Sequence, residues 1–284
     1  MAILRTNFSI ILMCLAAISW GTTGTTMVLM SQTVPWHPLL VGFWRLAIAS
    51  VVLMVAARGR FTWQWAELKV YAGLGLCMAL YQATYFWAVP LTGVAMTALV
   101  AICSSPFFIA GLAVIFLGER LSRRTWIALG LGSLGAALLV AQPQASSIWG
   151  IALALGAGLA YASYVVIAKA YLAKLDTLVV TAGSFTAAAL WLAPCLAWLP
   201  SPANAWASWP FLVYLGIVPT GLAYIFYMLG LNHTPATTAG IIVLLEPLTA
   251  ACLGIFWFKE PVALLGLAGA LMLLSAIFLA QNEN

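Results

Sequence analysis

The chain consists of long apolar runs separated by short segments that carry charges, prolines or glycines. Most runs are long enough to cross a bilayer as a helix, which takes about 20 apolar residues. Hydrocarbon leaves no water to pair with backbone polar groups, so such runs favour helices. The runs predict an all-α integral membrane protein of ten transmembrane helices, near residues 8–30, 38–57, 68–88, 94–117, 126–141, 148–169, 177–199, 210–231, 237–258 and 262–280.

The composition excludes the main soluble classes. Hydrophobic residues make up 65% of the 284 residues and charged residues only 6%, whereas a soluble domain carries about 25% charged residues. The cysteines lie in apolar stretches without CxxC pairs, so we expect no disulfide framework and no metal site. We also expect no cofactor. The basic residues are scattered between the runs, which argues against a nucleic-acid partner and for the lipid bilayer.

Loop charges predict the orientation, because Lys and Arg accumulate on cytoplasmic loops. With the N-terminus inside, nine of the eleven basic residues face the cytoplasm, Lys259 faces outside and Arg45 lies within a span. The first run lacks a cleavage site and is interpreted as a span and not as a signal peptide. We therefore expect a multi-pass protein of the cell (inner) membrane with both termini cytoplasmic.

The sequence contains an internal repeat. Pro106 falls opposite Pro247, and the segment FLGER at 116–120 runs parallel to FWFKEP at 256–261. The halves 1–142 and 143–284 hold about five helices each, and an odd number of spans places the second copy upside down in the membrane. Inverted repeats support alternating access to a midplane site. The alternative is that the duplication only provides a symmetric bundle.

Four motifs carry a resemblance to a known family: SWG at 19–21, WR at 44–45, FLGERLSRRTW at 116–126 and LEP at 245–247. The chain resembles the EamA-type family of the drug/metabolite transporter superfamily, in particular the YddG-like aromatic-amino-acid exporters. The resemblance implies ten helices around a cavity lined mainly by the first four helices of each half, with the fifth and tenth outside. It also implies export of small metabolites without ATP hydrolysis.

The second repeat departs from the first on both sides of its glutamate, Glu260. Lys259 and Pro261 stand where the first repeat has Gly118 and Arg120. The outer loop of the second repeat is therefore not expected to repeat every contact of the inner loop of the first.

Arg45 and Glu246 are the clearest ionisable residues inside predicted spans. A charge in hydrocarbon costs several kcal/mol by insertion scales, roughly 2.5 to 3.5 for one residue, so such residues are candidates for function. In one interpretation Arg45 binds a substrate carboxylate and Glu246 receives its amino group or a proton. In the other, the two residues pair directly or through water and lock helices together.

A second candidate set combines mid-span aromatic and polar side chains. Helical spacing of three or four residues places several of the tyrosines on shared faces, where they could stack on a ligand ring. Interfacial placement or ordinary helix packing is the alternative. The predicted substrate-binding residues, besides Arg45 and Glu246, are Trp20, Thr23, Tyr81, Gln82, Tyr85, Ser104, Tyr161, Tyr164, Tyr224 and Tyr227.

The prolines of the two repeats complete the candidate site. Pro106 and Pro247 each remove a helical hydrogen bond and free a carbonyl four residues back, so we expect both to act as hinges beside the cavity.

These observations favour a carrier that exports small amphipathic metabolites, with aromatic and other neutral amino acids as the leading class. A membrane enzyme needs paired acids, a nucleophile with its base or metal ligands, and the spans offer none. A passive channel remains an alternative. A nucleotide-sugar or sugar-phosphate antiporter is a weaker one, because only Arg45 could meet the phosphates. The expected partners are a small-molecule substrate and lipid, with a monomer as the simplest assembly.

Overall fold

The structure is a computed structural model that describes residues 2–62, 64–140, 147–259 and 264–281. Within these ranges the chain forms helices and no strands. The boundary predicted between the repeats at 142 and 143 lies outside the described residues, as do Glu260 and Pro261 of the second repeat.

The described helices follow the predicted runs in order. The first half contains α1 (Ala2–Thr33), α2 (Pro38–Ala56), α3 (Trp65–Thr92), α4 (Val94–Leu112) with a π-helical turn at Ala113–Leu117, and α5 (Arg123–Val140). The second half contains α6 (Ile148–Leu172), α7 (Thr177–Leu192), α8 (Cys195–Trp198), a 3₁₀ turn (Ala205–Ser208), α9 (Trp209–Gly216), a π-helical turn (Ile217–Leu222), α10 (Ala223–His233), α11 (Ala236–Val243), α12 (Leu245–Phe258) and α13 (Leu264–Gln281).

Eight helical stretches in the described residues are long and apolar enough to cross a membrane. They confirm an all-helical, multi-pass membrane protein. The predicted fifth and tenth runs also form helices, α5 and α13, but these are not among the eight.

Three predicted runs are interrupted beside a proline. The seventh divides into α7 and α8 next to Pro194. The eighth run widens into the π-helical turn around Pro219, and the ninth breaks at Leu244, three residues before Pro247. Proline lacks the N–H that would bond the carbonyl four residues earlier, so the regular helical ladder cannot continue unchanged. Pro106, in contrast, lies inside the continuous helix α4.

Local capping fixes where individual helices begin. α2 starts with Pro38 at its first turn, after His37, whose Nδ1 accepts a hydrogen bond from the Leu39 N–H at 3.2 Å. Asp176 caps α7 by accepting a hydrogen bond from the Leu178 N–H at 2.9 Å and from the Val179 N–H at 3.2 Å. Both caps pair backbone donors that the first helical turn leaves free.

The two halves interlock through their helices. α3 packs on α6 and α7, and α4 packs on α6. α1 packs on α10 and α12, and α2 packs on α7 and on the π-helical turn of residues 217–222. α5 and α13 pack closely on each other. The main helix contacts therefore join one half to the other, and a central space is left among the first helices of each half.

Backbone contact at two glycines joins α5 to α13. A Cβ built on Gly135 would lie 2.6 Å from the Gly269 carbonyl oxygen, and one on Gly269 would lie 2.6 Å from the Gly135 carbonyl oxygen. Small residues permit such close helix approach in membranes. On the same helix, Gly130 has no neighbouring atom within 4 Å of an added Cβ.

We expect Gly135→Val to destabilise the protein and Gly130→Val to leave it nearly unchanged. The first substitution forces α5 away from the backbone of α13, and overpacking of this kind costs about 1–3 kcal/mol. Thermal unfolding of the purified protein in detergent measures the effect. Equal unfolding midpoints for the two variants would contradict the packing described for α5 and α13.

Candidate functional site

A cavity of about 460 Å³ lies within the bundle. Its walls are formed by α1 to α4 from the first half and, from the second, by α6, α10, α11, α12 and the π-helical turn of residues 217–222. Among the described residues, α5, α7 and α13 contribute nothing to the lining. The lining is mostly apolar, with a small number of polar and charged groups that converge on it, as in ligand-binding pockets generally.

Most of the predicted binding residues lie on this cavity wall. The structure brings together nine of the twelve candidates, together with Pro247: Trp20, Thr23, Arg45, Tyr81, Gln82, Tyr85, Tyr161, Tyr224 and Glu246. Residues far apart in sequence thus share one space.

Three predicted residues lie behind the wall. Ser104 donates a hydrogen bond to the Ala101 carbonyl at 3.3 Å and sits against Gly158 of α6, while the next residue, Ser105, lines the cavity. Tyr164 and Tyr227 are fully buried among neighbouring helices. In this conformation their side chains lie outside the lining of the cavity.

Aromatic rings form one side of the cavity. The Trp20 ring lies 4.8 Å from the Tyr224 ring and 5.2 Å from the Tyr227 ring behind it, measured between centroids. Tyr81 lies 5.7 Å from Tyr161 and 6.0 Å from Tyr85. These separations are typical of tilted and edge-to-face aromatic pairs. The rings hold one another in place and leave an aromatic surface toward the cavity.

Some buried polar atoms beside this surface lack a hydrogen-bond partner within the described residues. The Trp20 indole N–H and the Thr23 hydroxyl make no hydrogen bond within the described part of the chain, and both atoms are themselves buried. Trp20 and Tyr161 are only 6% and 7% exposed, and both line the cavity. A buried donor without a partner is costly.

Arg45 is held by a side chain that sequence reasoning missed. Its Nε donates a hydrogen bond to Thr220 Oγ1 at 3.1 Å, and Thr220 Oγ1 donates to the Leu215 carbonyl at 2.6 Å. Leu215 lies four residues before Pro219, which has no N–H to offer that carbonyl. The Pro219-Thr220 pair was the available signal, because a hydroxyl beside a helical proline can replace the lost donor.

Glu246 occupies the start of α12, immediately after the break at Leu244. Its carboxylate makes no hydrogen bond and no salt bridge with the other described residues, so the direct pair with Arg45 is not formed in this conformation. In the first repeat the corresponding Ser105 donates a hydrogen bond to the Ile102 carbonyl at 3.1 Å, which Pro106 would otherwise leave free. An ionised carboxylate cannot donate in this way.

The described residues contain no cluster of three or more His, Cys, Asp or Glu side chains that could hold a metal. The described lining offers one guanidinium, one carboxylate, and hydroxyl, amide and aromatic groups.

A multi-pass helical bundle around a mostly apolar cavity with a few polar and charged groups is typical of a membrane transport protein. Comparisons with known proteins identify the family. The profile of the EamA-like transporter family matches residues 7–141 and again residues 148–281. The chain belongs to this EamA-like transporter family. The match confirms the expectation of a transporter and not an enzyme, and it places the protein in lipid with a small-molecule substrate.

Curated relatives cover most of the chain. The Bacillus subtilis (strain 168) protein named uncharacterized transporter YwfM is 32% identical, with 99% of this chain and 97% of the relative covered. An uncharacterized transporter of Archaeoglobus fulgidus is 31% identical over 76% of this chain and 77% of its own length. A Streptantibioticus cattleyicolor protein named probable terminal-alkyne amino-acid exporter is 27% identical, with 81% of each chain covered.

A solved crystal structure has the same fold. It superposes with a TM-score of 0.80 over 98% of this chain and 96% of its own, at 22% identity. At this identity the similarity concerns the fold alone.

Proposed function

We propose that the protein exports amino acids, aromatic and other neutral ones, by alternating access. The observation that carries this proposal is the pair of opposite charges in one cavity, Arg45 on α2 and Glu246 on α12. They attract each other through space without forming a salt bridge. A zwitterion can fill this gap, with its carboxylate on Arg45 and its ammonium on Glu246, because each charge then gains a partner in a low-dielectric space.

The aromatic surface supports the preference for aromatic side chains. Rings of Trp20, Tyr81 and Tyr224 face the cavity, and a ligand ring can stack on them while it leaves water. The resemblance to YddG-like exporters and the name of the Streptantibioticus cattleyicolor relative point in the same direction. A substrate with several phosphates fits this cavity poorly, since Arg45 is the one basic side chain of the described lining and Glu246 would repel phosphate.

The alternating-access part of the proposal rests on two inverted five-helix repeats, 1–142 and 143–284, that together give ten spans. The helix contacts support this symmetry. Exchange of the halves turns the α1 contact with α10 into the α3 contact with α6, and the α1 contact with α12 into the α4 contact with α6. Gly118 and Lys259, which the sequence repeat places opposite each other, both adopt left-handed backbone conformations, with φ of 68° and 59°.

The cavity and a polar closure lie toward opposite ends of α4. The lining includes Ser31, Pro38 and Val94, which stand at helix ends that the loop charges place outside. Glu119 follows the other end of α4 and binds the start of α11, in the second half. Its carboxylate accepts hydrogen bonds from the Ala236 N–H at 2.5 Å and from the Thr237 N–H and hydroxyl at 3.2 and 2.8 Å.

Lys169 reinforces the same closure. Its ammonium donates hydrogen bonds to the Leu231 carbonyl at 2.7 Å and to the Asn232 carbonyl at 3.0 Å, at the last turn of α10. A carboxylate at a helix N-terminus and a cation at a helix C-terminus are both favoured by the helix dipole. We infer that these contacts hold the cytoplasmic side closed in an outward-open state, with both termini in the cytoplasm of the cell membrane.

We expect Glu119→Ala to shift the protein toward an inward-open state, because loss of a capping carboxylate costs about 1–2 kcal/mol, or roughly a tenfold change in population. Pulsed electron paramagnetic resonance between spin labels at Arg123 and His233, in a cysteine-free background, reports the opening. Longer distances are expected in Glu119→Ala, and unchanged distances in the control Arg120→Ala. A distance distribution that Glu119→Ala leaves unaltered would contradict the role of this closure.

Counterflow in proteoliposomes with a panel of amino acids tests the function itself. We expect saturable exchange of aromatic amino acids with trans-stimulation, a loss of at least about tenfold in Arg45→Gln and Glu246→Gln, and wild-type rates in the exposed control Arg124→Gln. The reason is that each cavity variant leaves one charge of the zwitterion without its partner.

Three results would count against the proposal. Absence of exchange for every aromatic amino acid would overturn the substrate class. Flux that does not saturate and shows no trans-stimulation would indicate a channel. Full activity of Glu246→Gln with an unchanged pH profile would remove Glu246 from substrate and proton binding.

A further inference from the structure

We propose that Thr220 is a positioning residue that fixes the Arg45 guanidinium for end-on binding of a ligand carboxylate. This inference rests on the proposed function, since it takes the ligand carboxylate to bind Arg45. It begins from Pro219, which leaves the Leu215 carbonyl without its helical donor. The Thr220 hydroxyl supplies a replacement at 2.6 Å inside the π-helical turn of residues 217–222.

The proton of the Thr220 hydroxyl is committed by that bond. A hydroxyl has one proton to donate and two lone pairs that accept, so Thr220 Oγ1 can only accept from Arg45. The Arg45 Nε–H is the donor, at 3.1 Å. Thr220 is only 2% exposed, which leaves little room for a competing arrangement. The direction of both hydrogen bonds, from Arg45 to Thr220 to Leu215, is therefore fixed.

These two hydrogen bonds decide which edge of the Arg45 guanidinium faces the ligand. A guanidinium binds a carboxylate with two parallel hydrogen bonds, either through Nε and one terminal nitrogen or through both terminal nitrogens. Thr220 occupies Nε, so the edge formed by Nη1 and Nη2 remains. Neither terminal nitrogen of Arg45 makes a hydrogen bond with any described residue, and Arg45 lines the cavity.

The backbone around Thr220 is shaped to bring α2 close. A Cβ built on Gly216 would lie 2.6 Å from Ile48 Cβ and 3.3 Å from the Arg45 carbonyl oxygen. A glycine at this position lets the π-helical turn approach the helix that carries Arg45, and π-helical turns occur frequently at functional sites. The close approach sets the Arg45–Thr220 contact independently of any ligand.

The variants Thr220→Val and Thr220→Ser test the assignment in proteoliposomes. Valine keeps the shape and removes the hydroxyl, whereas serine keeps the hydroxyl. The readouts are the KM and maximal rate for phenylalanine and the inhibition constant of phenethylamine, which lacks the carboxylate. Thr181→Val, which removes another buried hydroxyl that bonds only its own helix, is the matched control.

We expect Thr220→Val to raise the KM for phenylalanine about tenfold, the loss typical of a hydrogen bond to a charged group. The phenethylamine inhibition constant and the maximal rate stay near wild type, and Thr220→Ser and Thr181→Val resemble wild type. Pro219→Ala offers a second route, because its restored N–H competes for the Leu215 carbonyl. It is expected to raise the phenylalanine KM without changing phenethylamine inhibition, even if Thr220→Val does not fold.

The contrary results separate the two levels of the proposal. A wild-type protein without saturable phenylalanine transport overturns the proposed function together with this inference. If the wild type transports phenylalanine, an unchanged KM in Thr220→Val or Pro219→Ala overturns the positioning role alone. An equal weakening of phenylalanine and phenethylamine, or a Thr220→Ser variant as impaired as Thr220→Val, also overturns it, since either result indicates a structural role.

Discussion

The cost of a charge inside a membrane is the constraint around which the bundle is arranged. Arg45 is tolerable within α2 because Thr220 accepts its Nε–H and the rest of the guanidinium faces a cavity. That arrangement needs the Leu215 carbonyl freed by Pro219, and hence an irregular helix. The helix break before Pro247 likewise lies next to a charged residue of the cavity, Glu246. The irregular backbone around Pro219 and before Pro247 thus borders the cavity, where unpaired backbone groups are tolerated.

The bundle contains two different groups of polar contacts, one in its middle and one at one end. In the middle, Arg45 and Glu246 stand apart with no salt bridge, so an ordered ligand can satisfy both. At the end of α4, Glu119 has its hydrogen-bonding capacity used by the start of α11. Both arrangements fit the proposed outward-open carrier, because binding energy is available at the site while the proposed closure keeps the other side shut.

Much of the fold could be predicted from the sequence, because long apolar runs have few alternatives in a membrane. The direction in which each side chain points could not be predicted. Tyr161 and Tyr164 lie three residues apart on α6, yet only Tyr161 lines the cavity. On α10, Tyr224 lines it and Tyr227 does not. A spacing of three residues turns a helix by about 60° from alignment, so which tyrosine faces inward depends on how neighbouring helices rotate and pack. Thr220 was not predicted as a site residue because its role depends on contact with α2, which lies far away in sequence.

The central claim is that one cavity recognises both charges of a zwitterion. Equilibrium binding of phenylalanine, phenethylamine and 3-phenylpropionate to the purified wild-type protein, measured by calorimetry under one set of conditions, tests this claim most directly. The account predicts that phenylalanine binds at least about tenfold more tightly than either singly charged analogue, since only phenylalanine can pair with both Arg45 and Glu246. Equal affinities for the three ligands would contradict it.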